Sequence, residues 1–488
     1  MTTADRTASD RPGAPAGDIA APRAFESVHK AAFHDVECRY RCLAAETHLP
    51  DAEGRPKASL FSFSYLVEAT DPASRPVTFL FNGGPGSASL WLHMGGLGPR
   101  MVRLPAQAAP AGAGPYSVQD NGLCNLDRSD LVFIDPPGTG YSRMLGPHKP
   151  EEAWGLEADA ALIASFIRAW LTQHRRWSSP RFLCGESYGT TRAVMVAGQL
   201  AGGLSSVAFN GLALISAVLD FHTVQFDPGH ILPDVCFLPT YAATAHYHGR
   251  VTPAPASRDA FLDAARRFAG EEYLPALFAG SRLDEAERIA VRDGLAYFTG
   301  LSPDWLDRTR LRIEPGRFRK ELLRDRGQTV GRLDSRYLGA DHDDGGEAPD
   351  ADAASHAMDS AFVSSVNDHL TRMLGIDWDR PYVPFNEEAL KQWDWQGSVK
   401  PERRRGPAYI NVAPTLGRLL RENPGLRVLL ASGLYDLATP FHAAETTIAG
   451  NGIDAGRVRM TWYEAGHMMY VHEPALAALA ADLRQLLG

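Results

Sequence analysis

The sequence predicts an α/β protein: a mostly parallel central sheet flanked by helices and interrupted by a helical insertion. Three observations carry this. Short apolar runs end in glycine-rich turns at PVTFLFNGGPG, LVFIDPPGTG, RFLCGESYG and VAFNGLALISA. Text of helical period, with apolar residues three and four apart, lies between them. The same alternation returns near residue 405, after a long stretch rich in Arg, Asp and Ala. Strands alternating with helices of this length argue for parallel strands joined by crossovers.

Taken in order, residues 1–24 read as a disordered tail of Ala, Pro, Gly, Asp and Thr. The core begins at about residue 25. VECRYRCLA and ASLFSFSYLVEA flank the turn-rich PDAEGRPK and predict an antiparallel hairpin. EEAWGLEADAALIASFIRAWLTQH is an amphipathic helix with acids in its first turn. The first part of the core runs to residue 224. Residues 225–400 are expected to be a helical insertion, with helical text such as DAFLDAARRFAGEEYLPALFAG and PGRFRKELLRDRG. Residues 401–488 return to the core. There YINVAPTLGRLLREN is a helix, and LRVLLASGLYD and RVRMTWYEAGH are strand-plus-loop segments. PALAALAADLRQLLG is a closing amphipathic helix with Pro474 near its start. The acidic segment 341–353 fails the EF-hand pattern and reads as a mobile surface loop.

Composition narrows the function classes. The 488 residues are 44% hydrophobic and 22% charged, enough to bury a core and unlike a disordered chain. A net charge of −9 argues against a nucleic-acid partner, and the short basic run Arg403-Arg404-Arg405 reads as a solvated loop. The longest apolar stretch, Leu212 to Leu219, is eight residues, far short of the roughly 18 that a membrane helix needs. The N-terminus has no apolar core of a secretory signal, so a cytoplasmic location is expected. Five cysteines make no disulfide framework. Cys38 and Cys42, four apart on one strand, would sit about 13 Å from each other, so free thiols are expected. No metal-ligand spacing and no dinucleotide or P-loop pattern is present, so neither metal nor cofactor is expected.

One pentapeptide carries chemistry. Gly185-Glu186-Ser187-Tyr188-Gly189 matches G-x-S-x-G directly after an apolar strand and before a helical run. Glycines on either side let the chain turn sharply, which exposes the serine hydroxyl at the sheet's carboxyl edge. A serine nucleophile needs a base and an orienting carboxylate, here in the chain order Ser, Asp, His. Asp436 lies in the loop after one late strand and His467 in the loop after the next. His472 is the competing base, but it lies next to Glu473-Pro474 at a helix start. His93 stands too early in the chain. The loop Asn82-Gly83-Gly84-Pro85-Gly86 follows an apolar strand and is placed to supply one oxyanion donor. Gly84 N–H and Tyr188 N–H form the expected pair.

FNGGPGSASLW, DPPGTGYS, GESYGT, SGLYDLATP and AGHMM, in this order, resemble the serine carboxypeptidases, peptidase family S10. The resemblance covers roughly residues 30–488 and is nearest to the bacterial branch. It implies an α/β-hydrolase fold, with residues 225–400 as a helical cap inserted before the Asp and His. It implies a triad of Ser187, Asp436 and His467, and an oxyanion hole of Gly84 and Tyr188. It also implies a grip on the substrate's free C-terminal carboxylate by Asn82, the N–H of Gly83, and Glu186. A carboxylate beside Glu186 is a like-charge clash unless Glu186 holds a proton, so an acid-favoured carboxypeptidase acting on peptides is expected. Three positions depart from the family pattern: Leu80 stands for a Trp, Ser87 for a Cys and Leu434 for an Asp. The same triad can pass an acyl group to an alcohol or amine, or cleave esters. A binding protein without catalysis is the third reading, and the intact triad weighs against it.

Overall fold

The computed structural model describes residues 19–69, 71–203, 206–395 and 410–488. The tail expected up to residue 24 lies outside the described residues as far as residue 18, and so does the basic run 403–405. Among the described residues the core is one ten-stranded sheet. Its long strands are β1 (Ala24–Phe33), β2 (Val36–Pro50), β3 (Pro56–Val67), β4 (Val77–Phe81), β5 (Asp130–Ile134), β6 (Arg181–Glu186), β7 (Gly211–Ile215), β8 (Arg427–Gly433) and β9 (Val458–Tyr463). Their spatial order is β1-β2-β3-β5-β4-β6-β7-β8-β9. The two-residue strand Arg143–Met144 pairs with β3 off this path.

From β5 to β9 every pairing is parallel, and β1, β2 and β3 add an antiparallel flank. The sequence explains the division. The parallel strands are short and apolar almost throughout, as strands covered on both faces must be. Alternate side chains serve two cores. Phe79, Val132, Leu183, Leu212 and Leu430 pack with the helices α1 (Leu156–Gln173) and α2 (Tyr188–Leu200). Leu80, Phe133, Cys184, Ala213 and Leu429 face the other way, toward α3 (Glu473–Leu487). Leu80 is therefore a core residue.

β1 had no signal in the sequence. It is an edge strand whose side chains alternate between exposed and half-buried, and it turns into β2 at His34-Asp35. Both residues adopt positive φ, 46° and 65°, a hairpin geometry that Asn-Gly usually announces.

Between β7 and β8 the chain is mainly helical. Helices Leu232–Tyr247, Arg258–Phe268 and Glu285–Thr299 enclose a third core with Phe237, Tyr241, Phe261 and Leu295. This core also takes in Leu434, Tyr435 and Leu437 from the loop after β8, and Phe441 at the start of the helix Phe441–Gly450. No helix among the described residues is long and apolar enough to cross a membrane.

The acidic segment 341–353 lies at the surface but is tied down. Lys320, 2% exposed, donates to Asp341 at 2.6 Å and to the Asp343 carbonyl. Asp350 N–H in turn donates to Asp341. A charge pattern read along the chain does not show a lysine arriving from another helix. Breaking a buried ion pair strands its partner, so Lys320→Met should lower stability by about 3 kcal/mol. Urea unfolding measures this, and a loss under about 1 kcal/mol would mean the pair is solvated.

Candidate active site

Ser187 sits at the sharp turn from β6 into α2, with φ 58° and ψ −130°. This is a strained conformation for a residue with a side chain, costing on the order of 1–3 kcal/mol. It persists because the surroundings hold it. Ser187 N–H donates to the Ile215 carbonyl at 3.0 Å, and Thr190 N–H caps back to the Ser187 carbonyl at 2.9 Å. The flanking glycines are required by close approach. A Cβ on Gly185 would lie 2.1 Å from the Gly189 carbonyl oxygen, and one on Gly189 would lie 2.8 Å from that of Phe81.

Asp436 and His467 come from the loops after β8 and β9. Asp436 is fully buried and accepts four hydrogen bonds. Oδ1 takes the N–H groups of Ala438 and Thr439 at 2.8 and 2.9 Å. Oδ2 takes the Thr439 hydroxyl at 2.7 Å and His467 Nδ1 at 2.7 Å. Burial pushes the His467 imidazole toward neutrality, but the Asp436 carboxylate and then Glu186 outweigh it. The net shift is upward from the ordinary histidine value. His467 N–H donates to the Leu333 carbonyl at 2.6 Å, and Ser216 Oγ donates to the His467 carbonyl at 2.7 Å. Its neighbour Gly466 donates to Asp334 at 3.1 Å.

Beside Ser187 lies a buried carboxyl group. Glu186 Oε2 accepts from Asn82 Nδ2 at 2.8 Å and from the Tyr470 hydroxyl at 2.5 Å. The Asn82 orientation is settled by its other end, since Oδ1 takes the Leu92 N–H at 3.0 Å. Burial raises the Glu186 carboxyl to about 7, against the opposing pull of His467, Tyr470 and Asn82; Asp436 adds to the rise. Arg192, wholly buried, pairs with Asp159 at 2.7 Å and donates to the Asn82 carbonyl, which fixes the backbone behind this pair.

These groups share one cavity of about 580 Å³. Of the residues expected from the sequence, Ser187, His467, Gly84, Asn82, Gly83 and Glu186 line it. Asp436 stands behind His467. Tyr188 does not line it; its ring is buried against Trp393 at 5.3 Å. Its backbone N–H nevertheless borders the glycine loop, where a Cβ on Gly83 would come within 2.5 Å of it. No hydrogen bond joins Ser187 Oγ to His467 among the described residues. His472 immediately precedes α3, as expected, and does not line the cavity. His93 is a core residue, bonded to the Tyr65 hydroxyl at 2.6 Å.

Sequence reasoning missed Tyr470 and Thr439. Thr439 was within reach, because a hydroxyl three residues after an Asp in a loop is a common local partner. Tyr470 had no signal. Arg332, Asp359, Phe385 and Leu390, all from the chain between β7 and β8, also line the cavity. Among the described residues, no cluster of three His, Cys, Asp or Glu side chains is placed to hold a metal ion. All five cysteines are free and buried.

Residues 51–224, which hold β3 to β7 and Ser187, match the family described as Serine carboxypeptidase, Peptidase S10. No curated protein matches the chain. The crystal structure of Kex1Δp, a prohormone-processing carboxypeptidase from Saccharomyces cerevisiae, is similar with a TM-score of 0.54 at 14% identity. The likeness covers 91% of each chain. The fold is thus the α/β-hydrolase fold, with a mixed, mostly parallel sheet. A proline iminopeptidase from Mycobacterium smegmatis is more distant, with a TM-score of 0.40 at 14% identity over 91% of this chain and 98% of that one.

Proposed function

We propose that the whole chain, beyond its matched residues, acts as a serine carboxypeptidase of peptidase family S10 that releases the C-terminal amino acid from peptides. Ser187 Oγ attacks the last peptide carbonyl while His467 takes its proton and later delivers it to the leaving amine. Asp436 orients the imidazole and stabilises its charged form. The N–H groups of Gly84 and Tyr188 receive the developing oxyanion. Water then attacks the acyl-enzyme on Ser187 and frees the shortened peptide.

The observation that carries this reading is the Glu186–Asn82 pair beside the serine. A buried carboxyl group that holds its proton to near neutral pH can donate a hydrogen bond to a second carboxyl group. With Asn82 Nδ2 and the Gly83 N–H, it makes a seat for a free C-terminus. An esterase or thioesterase has no use for such a seat. The five buried free thiols favour a protein that works in a reducing compartment.

The test compares an N-blocked dipeptide with its C-terminal amide. The free acid should be cleaved with at least a tenfold lower KM at mildly acid pH. That KM should climb as pH rises through about 7, where Glu186 loses its proton and repels the substrate. Equal KM values for acid and amide, or a flat pH profile, would replace this reading with ester cleavage or acyl transfer.

A further inference from the structure

We propose that Tyr470 is a positioning residue of the carboxylate seat: with Asn82 it occupies one oxygen of Glu186 and so presents the other, with its proton, to the substrate. The inference rests on the function proposed above and goes beyond it by assigning the proton to an atom.

Both donors meet at the same atom. Tyr470 Oη lies 2.5 Å and Asn82 Nδ2 2.8 Å from Glu186 Oε2. The Asn82 NH₂ group can only donate, so a proton on Oε2 would have to go to Tyr470 Oη and turn that hydroxyl from donor to acceptor, leaving its own hydrogen with no acceptor among the described residues. Oε1 is engaged by no described residue, so the proton resides there. Asn82 cannot reverse its amide, because Leu92 N–H holds its oxygen. Tyr470 cannot swing away either. It is fully buried in the turn Met469–Val471, and its ring rests on two glycines. A Cβ on Gly95 would lie 2.4 Å from Tyr470 Cε2, and one on Gly96 would lie 3.0 Å from Tyr470 Cβ. The segment that delivers His467 toward Ser187 therefore also delivers, three residues later, a hydroxyl to Glu186. One loop sets both the base and the seat.

The other groups that bear on Glu186 are His467 and Asp436 from two loops and Cys184 on its own strand, and Arg332, Asp359 and Glu387 line the same cavity, with burial raising the Asp359 carboxyl to about 6. None of them is altered when the Tyr470 hydroxyl is removed. Tyr470→Phe keeps the ring and its glycine seat. It removes a donor that favours the ionised carboxylate, so Glu186 should keep its proton to higher pH. It also frees Oε2 to carry that proton.

The experiment measures KM and kcat for the N-blocked dipeptide and its amide from pH 5 to 9, in wild type and Tyr470→Phe. Melting temperature and fluorophosphonate labelling of Ser187 report the fold and the triad. The expected result has three parts. KM for the free acid at pH 5 rises about fivefold. The pH at which KM starts to climb moves upward by about one unit. KM for the amide does not follow. A Tyr470→Phe profile that overlays wild type would overturn the assignment while the carboxypeptidase reading stands. Loss of labelling together with a collapsed melting temperature would make Tyr470 a folding residue and overturn it as well. A wild-type enzyme that treats acid and amide alike would bring down both readings, and the variant is not needed to see it.

Discussion

Ser187→Ala should lower turnover by roughly 10⁶-fold while substrate binding survives. No neighbouring hydroxyl can take over. Ser87, Ser355 and Thr439 line the same cavity, but Ser87 Oγ lies between the Ala88 carbonyl and the Trp91 indole N–H, and Ser355 Oγ turns to the Asp352 carboxylate with no base beside it. Thr439 Oγ1 is committed to Asp436 and the Ser216 carbonyl. The seat of Asn82, Gly83 and Glu186 is untouched by the change, so an N-blocked dipeptide should still raise the melting temperature of the variant. Ser187→Gly should be as inactive yet more stable by about 1 kcal/mol, since glycine adopts φ 58° without strain. Turnover near the wild-type level in either variant would place the nucleophile elsewhere.

Asp436→Asn should cost about 10⁴-fold in kcat with little change in KM. The hydrogen bonds dictate how the asparagine must sit. Two backbone N–H groups point at Oδ1, so the amide oxygen must take that place. The NH₂ group then falls at the Oδ2 position and donates toward His467 Nδ1. A histidine that accepts at Nδ1 carries its proton on Nε2. It can no longer take one from Ser187. Loss of activity thus follows from the wrong tautomer rather than from displaced atoms. Fluorophosphonate labelling should slow in parallel with kcat. A loss of less than about 100-fold would mean that Asp436 serves mainly to hold its loop.

Legibility divides along physical lines. The parallel strands were readable because burial on both faces leaves a short apolar run closed by glycine, as in TFLFNGG and FLCGES. Ser187 was readable because its turn demands glycine at 185 and 189, and close approach leaves no room for anything else. The edge strand β1 was not readable. A half-exposed strand has no apolar run, and its turn at His34-Asp35 lacks the glycine that would mark it. Lys320 and Tyr470 were illegible for a different reason. Each matters through a partner that only tertiary packing supplies: Asp341 across a loop for one, and Glu186 far back in the chain for the other. The region between β7 and β8 could be read as helical from its period, but not as the source of cavity-lining residues.

That region reaches further into the site than its place as an insertion suggests. Leu333 accepts the His467 N–H, Asp334 accepts that of Gly466, Arg332 accepts that of Leu437, and Ser335 donates to Tyr435. Both loops that carry the base and its carboxylate are stitched to residues 332–335, and the third hydrophobic core closes over one of them. The segment is therefore not an interchangeable module. Grafting the corresponding stretch of another hydrolase, to borrow its selectivity, would remove the struts of the triad together with the walls of the pocket. Recombination and laboratory chimeras alike would have to carry residues 332–335 as a unit with the loops at 434–439 and 465–470, or rebuild all three together.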